Sequence, residues 1–306
     1  MGSGLAERQP TLSRRTGLTF LAPALALVLV FLVLPSVWVL AISVTDEALL
    51  GETAAHPSFV GLQNFGELFQ FSRWMFPGQF GWSLRLSTLF TFGSVLGQAA
   101  LGLALAWAFH RRRGVVRETF VTLVILAWIV PDVVVAFSWL AFLNRDSGTL
   151  NLGLALLHLG RVDWLLGHPL ASILMFNIWR GTAFSLLLFS GALGTIPNSY
   201  LETAGVLGAG PWRTFRDIVL PLIRGHIFTD LILITLWTFN TFTPFLITAG
   251  GPAFKTDVVP IYVWRTALNG SYELGRGSAV AVIMLLLNLL LALFYVATLR
   301  RQRKIA

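Results

Sequence analysis

Residues 199–223 read SYLETAGVLGAGPWRTFRDIVLPLI, and the reading of this segment decides the fold. It is short, amphipathic and punctuated by glycine, yet it lies between two long apolar runs. Ser199 and Glu202 have the S-x-x-E spacing of a capping box, in which hydroxyl and carboxylate satisfy free amides at a helix start. Gly208 and Gly210 supply the positive φ that ends a helix, and Pro211 suits the first turn of the next. The spacing predicts a helix-turn-helix lying along a membrane surface, with Leu201, Val206, Trp212 and Phe215 exposed beside Glu202, Arg213 and Arg216. Such a face suits a partner's groove. An interfacial hairpin resting on lipid headgroups would carry the same pattern.

The flanking sequence sets the class. Of 306 residues, 56% are hydrophobic and 12% charged, against about a quarter charged in soluble domains. This composition specifies a polytopic membrane protein. The formal net charge of +8 is concentrated at the ends of apolar runs, which points to membrane orientation and away from nucleic acid. The absence of cysteine excludes a disulfide framework, thiol catalysis and Cys-ligated metal. His56, His110, His158, His168 and His226 show no H-E-x-x-H spacing, so no metal site is expected.

Six apolar runs are long enough to cross a hydrocarbon core of about 30 Å. They lie near 17–44, 84–109, 119–143, 170–192, 225–249 and 278–299, giving an all-α fold of six transmembrane helices. Residues 1–16 form an N-terminal segment, 17–299 one integral membrane domain and 300–306 a basic tail. SRRTGLT at 13–19 faintly resembles a twin-arginine signal, but the run behind it is too long for a signal core, and a retained first span is expected. With the termini and the second and fourth connections on one side, that side holds fourteen Lys and Arg against seven on the other. Both termini are therefore expected in the cytoplasm. FVGLQNFGELFQF at 59–71 and VVPIYVWRTAL at 258–268 predict short amphipathic helices at the outer face.

Ionisable groups inside spans are costly and mark pathways or cavities. Asp132, after Pro131, and Arg180 fall at similar depth, about 20 and 18 Å from the cytoplasmic edge at about 1.5 Å per residue. A kink at Pro131 and an Asp132 to Arg180 pair are expected. The alternative is an Arg180 that snorkels to a boundary and an Asp132 that satisfies amides at the kink. Asn177, Arg180, Gly181 and Phe184 share one helical face. That face suits a sugar: an amide that donates and accepts, a glycine that permits close approach, and a ring that stacks on a pyranose. Helix packing around a small residue explains the same face. Trp237, Asn240 and Thr241 form a second such face ahead of Pro244, where another kink is expected. Gln98 and Asn288 read as interhelical hydrogen-bonding residues.

Glu202-Thr203-Ala204, Gly208-Ala209, Phe215, Ile218, Leu220 and Pro221 resemble the EAA loop of permease subunits in binding-protein-dependent ATP-binding cassette importers. FVGLQNF at 59–65, GTLN at 148–151, IWRGTAF at 178–184 and LITAGGP at 246–252 extend the resemblance towards the maltose-type, carbohydrate-directed branch. Thr203 replaces a usual alanine, Leu207 a frequent aspartate, and Gly225 a common proline.

The resemblance implies a type I importer permease fold in a bacterial or archaeal cell membrane. It implies that the loop at 197–223 docks on a separate ATPase through Glu202, Thr203, Ala204, Gly208, Ala209, Trp212 and Phe215. The substrate pathway would use Asn177, Arg180, Gly181, Phe184, Trp237, Asn240 and Thr241, with Phe242 standing where the branch commonly has a polar residue. Partners would be an ATPase dimer carrying ATP and Mg, a second permease, an extracytoplasmic solute-binding protein and lipid. No catalytic residue and no bound cofactor are expected, consistent with the lack of a G-K-[ST] phosphate loop. Glycerol phosphate is the alternative cargo, since its charge would use Arg180. A membrane-embedded enzyme would need a paired constellation that Asp132 and Arg180 do not make, and a passive channel would leave the loop without a purpose.

Overall fold

The computed structural model describes residues 14–303 other than 71, 111 and 113. The N-terminal stretch 1–13 with Arg8, the basic residues Arg111 and Arg113, and the tail end at 304–306 with Lys304 lie outside the described residues. The first span comprises α1 (Arg14–Val28), a π-helical turn at Leu29–Val33 and α2 (Leu34–Ile42). The first connection carries α3 (Glu52–Ala55) and α4 (Gln63–Leu68) before the long helix α5 (Phe80–His110). Next come α6 (Val115–Ile129), α7 (Asp132–Phe142), the short helix α8 (Thr149–Leu156) and α9 (Pro169–Gly194). The opening segment forms α10 (Asn198–Val206) and α11 (Pro211–Thr214), which continues through a π turn at Phe215–Val219 into α12 (Leu220–Phe239). The chain ends with α13 (Thr243–Thr248), α14 (Val259–Ala267) and α15 (Leu274–Arg303).

Among the described residues five continuous helices are long and apolar enough to cross a membrane, and α6 with α7 make a sixth crossing only as a pair bent by 105°. The expected kink at Pro131 is thus a full break. Val130 and Pro131 are both extended, with ψ of 135° and 141°, because a residue before proline is driven out of the helical region and proline offers no amide to continue the ladder. The fifth crossing also departs from expectation. It begins at Pro211 and runs 29 residues to Phe239, so the second half of the predicted hairpin is the start of the span itself. It stops before Pro244, at Asn240–Phe242, and Pro244 opens α13.

The centre of the protein is the parallel crossing of α5 and α9. Leucine gains nothing by leaving lipid for protein, so helices associate in membranes through close packing and polar contacts. Glycines allow that approach: a side chain at Gly97 would meet Ile178 at 2.6 Å, and one at Gly102 would meet Ser185 Cβ at 2.4 Å. Phe90, Ile173 and Phe176 fill the crossing towards the N-terminal ends of the two helices, while Leu186, Phe189 and Leu193 fill it towards the C-terminal ends with Ile223 of α12.

The motifs in the connections at 59–65 and 148–151 are clasps. Asn64, in FVGLQNF, donates to the carbonyls of Ser43 and Thr45 at 2.9 and 2.8 Å and so caps the end of α2. Asn151, in GTLN, donates to Asn144, Arg145 and Val162 carbonyls and accepts from the Val162 amide at 3.0 Å. The segment at 258–268 is helical as expected, but α14 is a packed element, with Val259, Ile261 and Tyr262 buried against α5 and α15.

Candidate functional site

Two broken helices meet in the middle of the bundle. The last turn of α6 leaves carbonyls without helical partners, and Arg180 of α9 donates through Nη2 to the Val130 carbonyl at 3.1 Å. The same guanidinium forms an ion pair with Asp132, the first residue of α7. Each charge also sits at the favourable end of a helix dipole, the cation at the C-terminus of α6 and the anion at the N-terminus of α7. Thr243, at the start of α13, donates its hydroxyl to Asp132 Oδ2 at 3.0 Å, and its oxygen lies 3.0 Å from Thr241 Oγ1. The result is a polar knot that ties α7, α9 and α13 together where both helices are interrupted.

Aromatic rings continue the surface beyond the knot. Trp128 and Phe184 have centroids 6.0 Å apart, and Phe184 meets Trp237 edge-on at 4.7 Å. Trp237 is exposed. Asn177 carries a buried amide nitrogen with no partner among the described residues.

Two expected pathway residues are placed differently. Gly181 does not join Arg180 at the knot: a side chain there would meet Gln98 Oε1 at 2.1 Å, so this glycine serves the α5–α9 crossing. Asn240 exchanges two hydrogen bonds with Asn288 of α15, at 2.9 and 3.0 Å. Phe242 stacks on Phe245 at 4.8 Å and faces Trp264 at 6.1 Å, which turns it towards α14.

The opening segment is a hairpin closed by a complete Schellman motif. Gly208 has φ of +74°, its amide donates to Gly205 at 3.0 Å, and the Ala209 amide donates to Ala204 at 2.9 Å. The capping box is not formed. Helix α10 starts one residue before Ser199, at Asn198, with Pro197 as its N-cap, and proline has no side-chain acceptor to offer the free amides. Leu201 is also corrected, being buried with Ala204 against the C-terminal ends of α5 and α9. Phe215 is half-buried, 5.4 Å from Trp107. The exposed face is Tyr200, Glu202, Thr203, Val206, Leu207 and Trp212.

Two charged groups escaped the sequence reading. Asp230 of α12 is fully buried and accepts from Ser185 at 3.0 Å; an acid inside an apolar run was a signal available in the sequence. Asp257 accepts from Arg265 Nη2 at 2.9 Å and from Ser83 Oγ at 3.1 Å. Arg265 also donates to the Gly78 carbonyl at 2.9 Å and lies over the rings of Phe254 and Tyr262. Burial pushes the Asp257 carboxyl up from its ordinary range, with Arg265 and Ser83 opposing. No group of three or more His, Cys, Asp or Glu able to hold a metal occurs among the described residues.

The chain is 29% identical to the trehalose/maltose transport system permease protein MalF of Thermococcus litoralis, over 99% of this chain and all of that one. It is 32% identical to the inner membrane ABC transporter permease protein YcjO of Escherichia coli, over 80% of each. Its fold matches a chain of a bacterial ABC transporter involved in import of the acidic polysaccharide alginate, with a TM-score of 0.77, 23% identity and coverage of 94% of this chain and 96% of that one. Residues 98–304, which include α9, the broken third and fifth spans and the hairpin, match the family described as binding-protein-dependent transport system inner membrane component, and this multi-pass membrane protein belongs to that family.

Proposed function

We propose that the chain is one permease subunit of an ATP-driven importer, forming half of the path for a sugar or oligosaccharide delivered by an external solute-binding protein. Both termini and the α10–α11 hairpin face the cytoplasm of a bacterial or archaeal cell, where the basic residues are concentrated. There the hairpin docks on a separate ATPase dimer, which holds ATP and Mg, and a second permease completes the path. The carbohydrate reading draws on relatives whose names specify trehalose/maltose and alginate.

The observation that carries the coupling role is continuity. Trp212, exposed beside Val206 and Leu207 at the tip, lies on the continuous helix Pro211–Phe239 that also presents Trp237. A partner that grips the tip therefore moves a pathway residue directly. On the pathway itself, Asn177, Arg180, Phe184, Trp237 and Thr241 stand around the knot joining the two broken helices, and aromatic faces beside hydrogen-bonding groups are the chemistry that sugars require.

The test is uptake of radiolabelled maltotriose into vesicles containing the assembled transporter. Uptake should require both nucleotide and the cognate solute-binding protein. Uptake independent of both would identify a channel, and entry of glycerol 3-phosphate in place of any oligosaccharide would reassign the cargo.

A further inference from the structure

The carbohydrate reading leaves open the charge of the cargo, and the knot at the broken third span bears on it. An acidic cargo would need the cation, yet the Arg180 side chain is 17% exposed while that of Asp132 is 48% exposed. Arg180 commits Nη2 to Asp132 and to the Val130 carbonyl, and its Nη1 is buried with no partner among the described residues. The guanidinium is thus enclosed and already balanced.

Asp132 is disposed in the opposite way. A carboxylate offers about four lone-pair sites. Arg180 takes one on Oδ1, and Thr243 takes one on Oδ2 at 3.0 Å. The remaining acceptor capacity lies on a half-exposed side chain whose position is fixed from two sides. Donors that could fill it are hydroxyls. A second anion brought to the same place would meet a like charge at contact distance.

We propose that Asp132 is the specificity-determining residue of the pathway: it accepts hydrogen bonds from the hydroxyls of an uncharged sugar and turns acidic sugars away. Arg180 is its positioning residue and supplies the charge balance. This inference rests on the carbohydrate reading given above.

The test uses the assembled transporter in nanodiscs without its solute-binding protein, so that cargo is not selected upstream. It reads equilibrium binding of maltotriose and of trigalacturonate. The wild type should bind maltotriose and disfavour trigalacturonate by about tenfold or more. Asp132→Asn should weaken maltotriose by about tenfold, the scale of one lost charge-assisted hydrogen bond, and should erase the discrimination. Asp132→Asn with Arg180→Gln leaves no uncompensated ion, should show the same loss of discrimination, and carries the test where the single variant fails to assemble. An unchanged ratio in whichever Asp132 variant assembles overturns the proposal. A wild type that prefers trigalacturonate also overturns it while leaving the carbohydrate reading intact. Binding of glycerol 3-phosphate but of neither trisaccharide removes that reading, and this inference with it.

Discussion

Ser185 donates to Asp230 Oδ2 at 3.0 Å across the crossing of α9 and α12, and the other oxygen of this fully buried carboxyl has no partner among the described residues. No ion pair involves Asp230 among those residues. An acid so placed serves its neighbours as an acceptor and does not need charge. Asp230→Asn keeps the acceptor and should give near-normal yield and melting temperature in detergent. Asp230→Ala leaves Ser185 without its partner and opens a void, which should cost about 1–3 kcal/mol. Equal melting temperatures for the two variants would show that the bond to Ser185 contributes nothing.

The ion pair at the broken third span calls for a double-mutant cycle. Removing one member of an enclosed pair leaves the other uncompensated, and such breaks typically cost about 3–5 kcal/mol. The exposure of Asp132 lowers the expected cost towards about 1–2 kcal/mol. Asp132→Asn and Arg180→Gln should each lower the melting temperature more than the double replacement does. Additive effects would mean that the two side chains do not interact.

The hairpin depends on a left-handed residue at Gly208. Alanine there should cost about 1 kcal/mol, and a β-branched residue more. Gly208→Val should insert normally yet reduce ATP-dependent uptake severalfold, and Glu202→Lys should do the same by reversing the charge on the exposed face. Wild-type uptake by both variants at normal expression would remove the coupling role of this loop.

The clasp at Asp257 carries a pH dependence with a definite sign. Because burial raises its carboxyl above the ordinary value of 3.8, the ionised form is less favoured in the folded protein than in the unfolded chain. The contribution is fully present below that ordinary value and is lost as pH rises through the raised one. The melting temperature of the wild type minus that of Asp257→Asn should therefore fall as pH increases from about 4 towards neutrality. A difference that grows over the same interval would contradict the assignment.

Much of this architecture is legible in one dimension. Long apolar runs fix the helices, and Pro131 marks the break that Arg180 and Asp132 then occupy. The reading failed where tertiary packing chose between equivalent local options. Ser199 and Glu202 have capping-box spacing, but Pro197 set the helix start first. Gly181 shares a helical face with Arg180 on a wheel, yet Gln98 claims the space beside it. Leu201 looks like part of an exposed apolar face until the ends of α5 and α9 are in place to cover it. Asp257, in the connection ahead of α14, binds both Arg265 of α14 and Ser83 of α5, and no local pattern associates it with Ser83.

The uninterrupted helix from Pro211 to Phe239 makes the hairpin and the fifth span a single lever about 43 Å long, at about 1.5 Å per residue. The rod is held from the side at two places, where Ile223 packs with Leu186, Phe189 and Leu193 and where Asp230 meets Ser185, so the stretch between them moves together with α9. The gap at Asn240–Phe242 then acts as an elbow, so that α13, anchored through Thr243 to Asp132, does not have to follow.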